Sequence, residues 1–196
     1  MAGAAVSRLA GFDRLRTVLT VLVIAHHTAI TYGGSGGWFY REVRDGGAPL
    51  SLAFTLFCSI NQAFFMGLFF LLAGYFSPPA PTALVRVVAP AQQPVPGDAA
   101  WLLSALAVGA AALAIRQWVP VGDNRVGLQL GYFASYVFLF ALGIAAWPQR
   151  WLERTPPALA RRWSRIALWT VPLLPLTAAA TGALAGRAVD FSGGLG

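Results

Sequence analysis

Five apolar stretches, Thr17 to Tyr32, Ser51 to Phe76, Ala99 to Ile115, Leu128 to Trp147 and Ile166 to Leu184, alternate along this chain with segments that hold every one of its arginines. About 20 predominantly apolar residues cross the hydrocarbon layer of a bilayer as one helix. Inside that layer a peptide group has no water to bond to, and an α-helix satisfies its backbone within its own segment. The pattern therefore predicts an all-α polytopic membrane helix bundle of about five transmembrane helices. The whole of 1–196 is expected to form one integral membrane domain. Composition agrees: 57% of residues are apolar and 11% charged, with mean hydropathy +0.63, whereas a soluble domain carries about 25% charge.

All 14 positive charges are arginine and there are 7 acids, for a net charge of +7. Because the arginines sit between apolar runs, they report membrane orientation and contact with anionic headgroups, and no nucleic-acid partner is expected. With the N-terminus inside, Arg8, Arg14, Arg16, Arg86, Arg150, Arg154, Arg161, Arg162 and Arg165 are cytoplasmic, and Arg41, Arg44, Arg116, Arg125 and Arg187 lie outside. Nine against five favours that orientation. The first apolar run resembles a secretory signal in length, but His26 and His27 are foreign to a cleavable apolar core and no small-x-small cleavage site follows. Residues 77–98 hold six of the 13 prolines and read as a semi-rigid linker between two membrane halves. In the last run Pro172 and Pro175 remove backbone donors, so its helix is the least secure.

Ionisable residues at membrane depth are costly and mark functional sites. That singles out His26 and His27, the only histidines. At 100° per residue Arg16 and His27 differ by about 20° in azimuth and about 16 Å in height, while His26 turns away by about 80°. Thr20 and Thr31 fall within about 60° of Arg16, completing a polar stripe. His27 is thus expected to point into the bundle and His26 toward a different neighbour or lipid. A neutral imidazole there can take a proton from a hydroxyl. The other account has both histidines fixing helix packing and Arg16 anchoring the helix at the headgroups. Metal binding is not expected, since no carboxylate or thiolate accompanies the pair within its run. Cys58, alone in the chain, excludes a disulfide framework. Asn61 and Gln62 in the second run are placed to orient an imidazole or a polar substrate, or simply to bond between helices. No segment contains Asp or Glu, which weighs against a proton-coupled carrier.

Asp13-Arg14-Leu15-Arg16, followed by an apolar run ending in Ala25-His26-His27-Thr28, resembles the start of the acyltransferase 3 membrane family. Phe64 to Phe76, ending in Ala73-Gly74-Tyr75-Phe76, is similar to that family's second helix. Trp118 to Gly122, Gly127 to Phe133 and Phe140 to Ile144 resemble a later part of the branch that includes glucan succinylation proteins. The resemblance implies a bacterial O-acyltransferase that moves an acyl group from acyl-coenzyme A, used as a donor substrate with no bound cofactor, to a hydroxyl of an envelope carbohydrate. It implies His27 as general base and Arg16 as donor-binding or electrostatic residue, with His26 as the alternate. Asp13, Asn61 and Gln62 complete the expected substrate-binding set. Family members have about ten membrane helices, so the chain is expected to be internally shortened and truncated, and to be inactive if the missing basic stretch holds the donor. The rival expectations are a noncatalytic or degenerate membrane fragment and a small transporter subunit.

The arginine asymmetry predicts that cysteines placed at Arg8 and Ala158 are protected from impermeant thiol reagents in intact cells and labelled after permeabilisation. External labelling at both positions reverses the orientation.

Overall fold

From Ala2 to Thr31 the chain has no proline, and one 30-residue helix, α1, runs through it. Its end is written in Gly33 and Gly34. Gly33 adopts a left-handed conformation (φ 114°); its N–H donates to the Ile30 carbonyl at 3.4 Å and the Gly34 N–H donates to the Ala29 carbonyl at 2.8 Å. These two bonds form a Schellman cap, which needs a residue tolerant of positive φ just past the helix. The computed structural model describes residues 2–43, 47–77, 93–119 and 130–180, and for residues 2–9, 48, 174 and 178 the backbone alone.

The remaining elements are α2 (Ala48–Gln62), α3 (Phe65–Phe76), α4 (Asp98–Arg116), a 3₁₀ turn (Leu130–Tyr132) leading into α5 (Phe133–Gln149), the short α6 (Trp151–Arg154), α7 (Pro157–Thr170) and α8 (Leu173–Ala180). All regular structure among the described residues is helical. Three helical stretches there are long and apolar enough to cross a membrane: Pro49–Phe76, Asp98–Arg116 and Leu130–Gln149. This is an all-α membrane protein.

Two of the five expected spans differ from expectation. The first, α1, is long enough but not among the three, because Arg14, Arg16, His26 and His27 dilute its hydropathy. In place of a span from Ile166 to Leu184, α7 starts at Pro157, ends at Thr170 and carries three arginines, and α8 has 8 residues. Pro172 and Pro175 lack the N–H groups that would carry α7 onward. Residues 181–184 lie outside the described residues, as do 78–92 of the expected proline-rich linker and 128–129 of the fourth segment. The second span runs as one stretch, tightened at Ala63, whose N–H reaches the carbonyls of both Ser59 and Ile60.

Contacts divide the chain into one unit up to Phe69 and another from Phe70. In the first, α1 packs on α2 through buried Ala29, Ile30 and Cys58, with Phe54 and Phe57 partly buried against them.

In the second unit, α4 and α5 pack antiparallel, with hydrogen bonds at both ends. The Arg116 guanidinium donates to the Gly131 carbonyl at 3.2 Å, and at the other end the Gln93 N–H donates to Gln149 Oε1 at 3.0 Å. No described residue of α4 is buried, and Leu102, Leu103 and Leu106 are exposed; such a face suits lipid. The tightest contact is at Gly74 and Gly143. A Cβ on Gly74 would overlap the Phe140 carbonyl, and one on Gly143 would overlap the Leu71 carbonyl and come within 2.7 Å of the Tyr75 nitrogen. Small residues allow this close backbone approach, which lets fully buried Tyr75 meet Trp147 edge to face at 5.3 Å.

Gly143→Val is expected to cost at least about 2 kcal/mol, since rigid backbone must move to admit the side chain. Gly109→Ala, where a Cβ meets nothing within 4 Å, is expected to be neutral or stabilising by up to ~1 kcal/mol. Thermal unfolding of both variants in detergent checks the contrast; equal shifts refute the packing assignment.

Candidate functional site

The last two turns of α1 present the two histidines to different surroundings, and the structure reverses the environments expected of them. His26 is the buried one, 7% exposed, with its ring 5.1 Å from that of Phe65. Cys58 Sγ donates to the His26 carbonyl at 3.6 Å. His27 is half-buried. Azimuth alone placed His27 inward because it took Arg16 as the reference for the inner face, whereas Arg16 is exposed and buried Leu19, His26 and Ile30 define that face.

His27 Nδ1 lies 3.0 Å from the Val23 carbonyl. A carbonyl can only accept, so Nδ1 carries the hydrogen and donates it, and Nε2 of the neutral ring holds a bare lone pair. The backbone bond thus selects the tautomer that a general base needs. Against the ring stands Trp38, with centroids 3.9 Å apart at 68°.

Sequence reasoning missed Trp38. It lies on the loop after α1, which folds back on the helix it leaves. The N–H groups of Glu42 and Val43 both donate to the Thr31 carbonyl at 3.0 and 3.1 Å. The Ser35 N–H donates to Thr55 Oγ1 on α2 at 3.0 Å, and Arg41 donates to the Gly36 carbonyl. The one signal was the run Trp38-Phe39-Tyr40 directly after the glycine-rich turn; nothing in helical spacing points from it to His27. Phe39 is 89% exposed. The Tyr40 hydroxyl donates to the Glu42 carboxylate, a bond that, with the carboxylate's charge, holds the phenol above its ordinary pKa.

Asn61 is 2% exposed and its amide donates to the Leu22 carbonyl at 3.0 Å. Leu22 lies one turn below His26, so Asn61 and His26 share the α1–α2 contact. Among the described residues, His26 Nδ1 and Asn61 Oδ1 are buried without a hydrogen-bond partner. Such groups cost about 1–3 kcal/mol each.

The structure does not gather the rest of the expected set. Arg16 and Asp13 lie about 16 and 21 Å below His27 along α1, and both are exposed. Gln62 is half-buried beside Asn61, but a neighbouring position on a helix turns about 100° away. The stripe's hydroxyls serve the backbone: Thr20 Oγ1 donates to the Arg16 carbonyl at 3.0 Å and Thr31 Oγ1 to the His27 carbonyl at 2.9 Å.

The geometry defines a half-buried imidazole of fixed tautomer near one end of a membrane-protein helix, beside a second, buried imidazole. No family model, curated protein or solved structure significantly matches the chain.

Diethyl pyrocarbonate acylates accessible unprotonated imidazole nitrogens. His27 is expected to react first in the purified chain, so His27→Gln removes the fast phase and His26→Gln leaves it. Faster loss at His26 contradicts the assigned exposures.

Proposed function

We propose that this is a multi-pass protein of a bacterial plasma membrane, its N-terminus cytoplasmic, resembling the acyltransferase 3 family. In this reading it moves an acyl group from acyl-coenzyme A to a hydroxyl of an envelope carbohydrate or similar acceptor. The observation that carries the reading is the His27–Val23 bond, which leaves Nε2 as the acceptor nitrogen of a half-buried ring.

Nε2 takes the proton of the acceptor hydroxyl as its oxygen attacks the thioester carbonyl. The tetrahedral intermediate collapses with loss of the carbon–sulfur bond, and the imidazolium returns its proton to the departing thiolate. Trp38 against the ring limits its rotation and gives the acceptor an apolar wall. Of the two roles open to Arg16, distance favours one. About 16 Å of rise separates it from His27, too far for both to touch one reacting carbonyl. Arg16 therefore serves the donor's phosphates, through the planar fork that suits them, a separation the extended pantetheine arm of coenzyme A can bridge. His26, buried against Phe65, supports the site without meeting substrate.

The test uses the chain in vesicles with acetyl- or succinyl-coenzyme A as donor and a glucan oligosaccharide as acceptor. His27→Ala is expected to lose about 100-fold or more in transfer with membrane insertion intact, and His26→Ala far less. Arg16→Lys is expected to raise KM for the donor more than it lowers kcat. Equal rates in wild type and His27→Ala remove the histidine from the mechanism. No transfer by the wild type shows that this chain does not catalyse the reaction by itself.

A further inference from the structure

Helix α7 stands apart from the catalytic reading. Its 14 residues, PALARRWSRIALWT, contain Arg161, Arg162 and Arg165 and no acid, and none of them is buried. At 100° per residue Arg161 and Arg165 lie about 40° apart, with Arg162 about 100° from Arg161, so the three share one arc of the helix.

Their depth is set by Asp98. Trp163 Nε1 donates to Asp98 Oδ1 at 3.0 Å, and the Arg162 guanidinium pairs with the same carboxylate. Asp98 is the first residue of the α4 span, and the antiparallel packing brings the end of the α5 span to the same end, where Gln93 binds Gln149. Arg162 is therefore held at the level where two apolar spans end. A rise of 1.5 Å per residue keeps Arg161 and Arg165 within about 5 Å of that level along the helix.

Arg162 is committed to Asp98, whereas Arg161 and Arg165 have no ion pair or hydrogen bond among the described residues. An open concavity of about 590 Å³ follows this face, lined by the three arginines with Ala158, Ile166 and Trp169. Trp169 is 77% exposed and Leu168 69%. Guanidinium groups beside bare tryptophan and aliphatic side chains suit a ligand with both a phosphate and a hydrocarbon part; a soluble anion would leave the apolar side chains in water.

We propose that Arg161, Arg162 and Arg165 form a binding site for the headgroup phosphate of an anionic phospholipid, with Ile166 and Trp169 against its glycerol and first acyl carbons. Asp98 is the positioning residue: it holds α7 at headgroup level, and its carboxylate at the α4 N-terminus is favoured there by the helix dipole. The site is independent of the acyl-transfer reading.

The test measures retention of phosphatidylglycerol and phosphatidylcholine by the purified full chain, by native mass spectrometry from mixed micelles. Wild type is expected to prefer phosphatidylglycerol. The double variant R161Q/R165Q, with helicity unchanged by circular dichroism, is expected to lose roughly 30-fold of that preference, at about five-fold per basic residue. Salt titration of the wild type gives a second reading without substitution: the preference falls as ionic strength rises. Equal retention of the two lipids by wild type, a preference untouched by the double variant, or a preference insensitive to salt overturns the proposal. Displacement of phosphatidylglycerol by millimolar inorganic phosphate overturns the lipid assignment in favour of a free-phosphate site.

Discussion

A peptide group without a partner in hydrocarbon costs several kcal/mol, and that constraint reaches well beyond making this chain helical. It also occupies the polar side chains of the helices. Thr17, Thr20, Thr28 and Thr31 on α1, and Ser59 on α2, each turn a hydroxyl back onto the carbonyl four residues earlier. His27 does the same through Nδ1. For the hydroxyls this is a local solution that leaves little to offer a ligand. For the imidazole it has the opposite effect, because a ring has a second nitrogen. Anchoring one nitrogen on the backbone leaves the other as a defined acceptor.

The two histidines show how much one residue of sequence separation means on a helix. His26 joins the α1–α2 contact with Ile30, Cys58 and Asn61, and His27 meets a loop aromatic. The cap at Gly33 and Gly34 makes this possible. It turns the chain sharply enough for the following loop to return to Thr31 and place Trp38 on the ring. A Cβ on Gly34 would lie 2.9 Å from the Ala29 oxygen and 3.1 Å from Phe54 Cβ, so the turn and the helix contact require the same small residue.

The arginines, one class by charge, divide by structure. Arg116 reaches the Gly131 carbonyl and lies over the Tyr132 ring at 5.6 Å, closing one end of the α4–α5 pair. Arg150, in a left-handed conformation at the end of α5, pairs with Glu153 at 3.1 Å. Arg154 donates to the Gln149 carbonyl at 3.2 Å. Arg162 is committed to Asp98, and Arg161 and Arg165 face outward from α7. Counting charges by segment says nothing of these partners.

Composition and run length were enough to read an all-α membrane protein, the second, third and fourth apolar segments, and the weakness introduced by Pro172 and Pro175, because helix formation in lipid depends on local hydropathy and on backbone donors that each residue either has or lacks. Polar character inside apolar runs also singled out His26, His27 and Asn61. What it could not decide was which histidine faces inward, since azimuth is only relative and the inner face of α1 is defined by what α2 brings against it. Nor could it place Trp38 on His27 or Asp98 on Arg162 and Trp163, 64 and 65 residues away. Those contacts depend on where a capped helix turns and which helix ends meet, and such long-range encounters leave no period in the sequence.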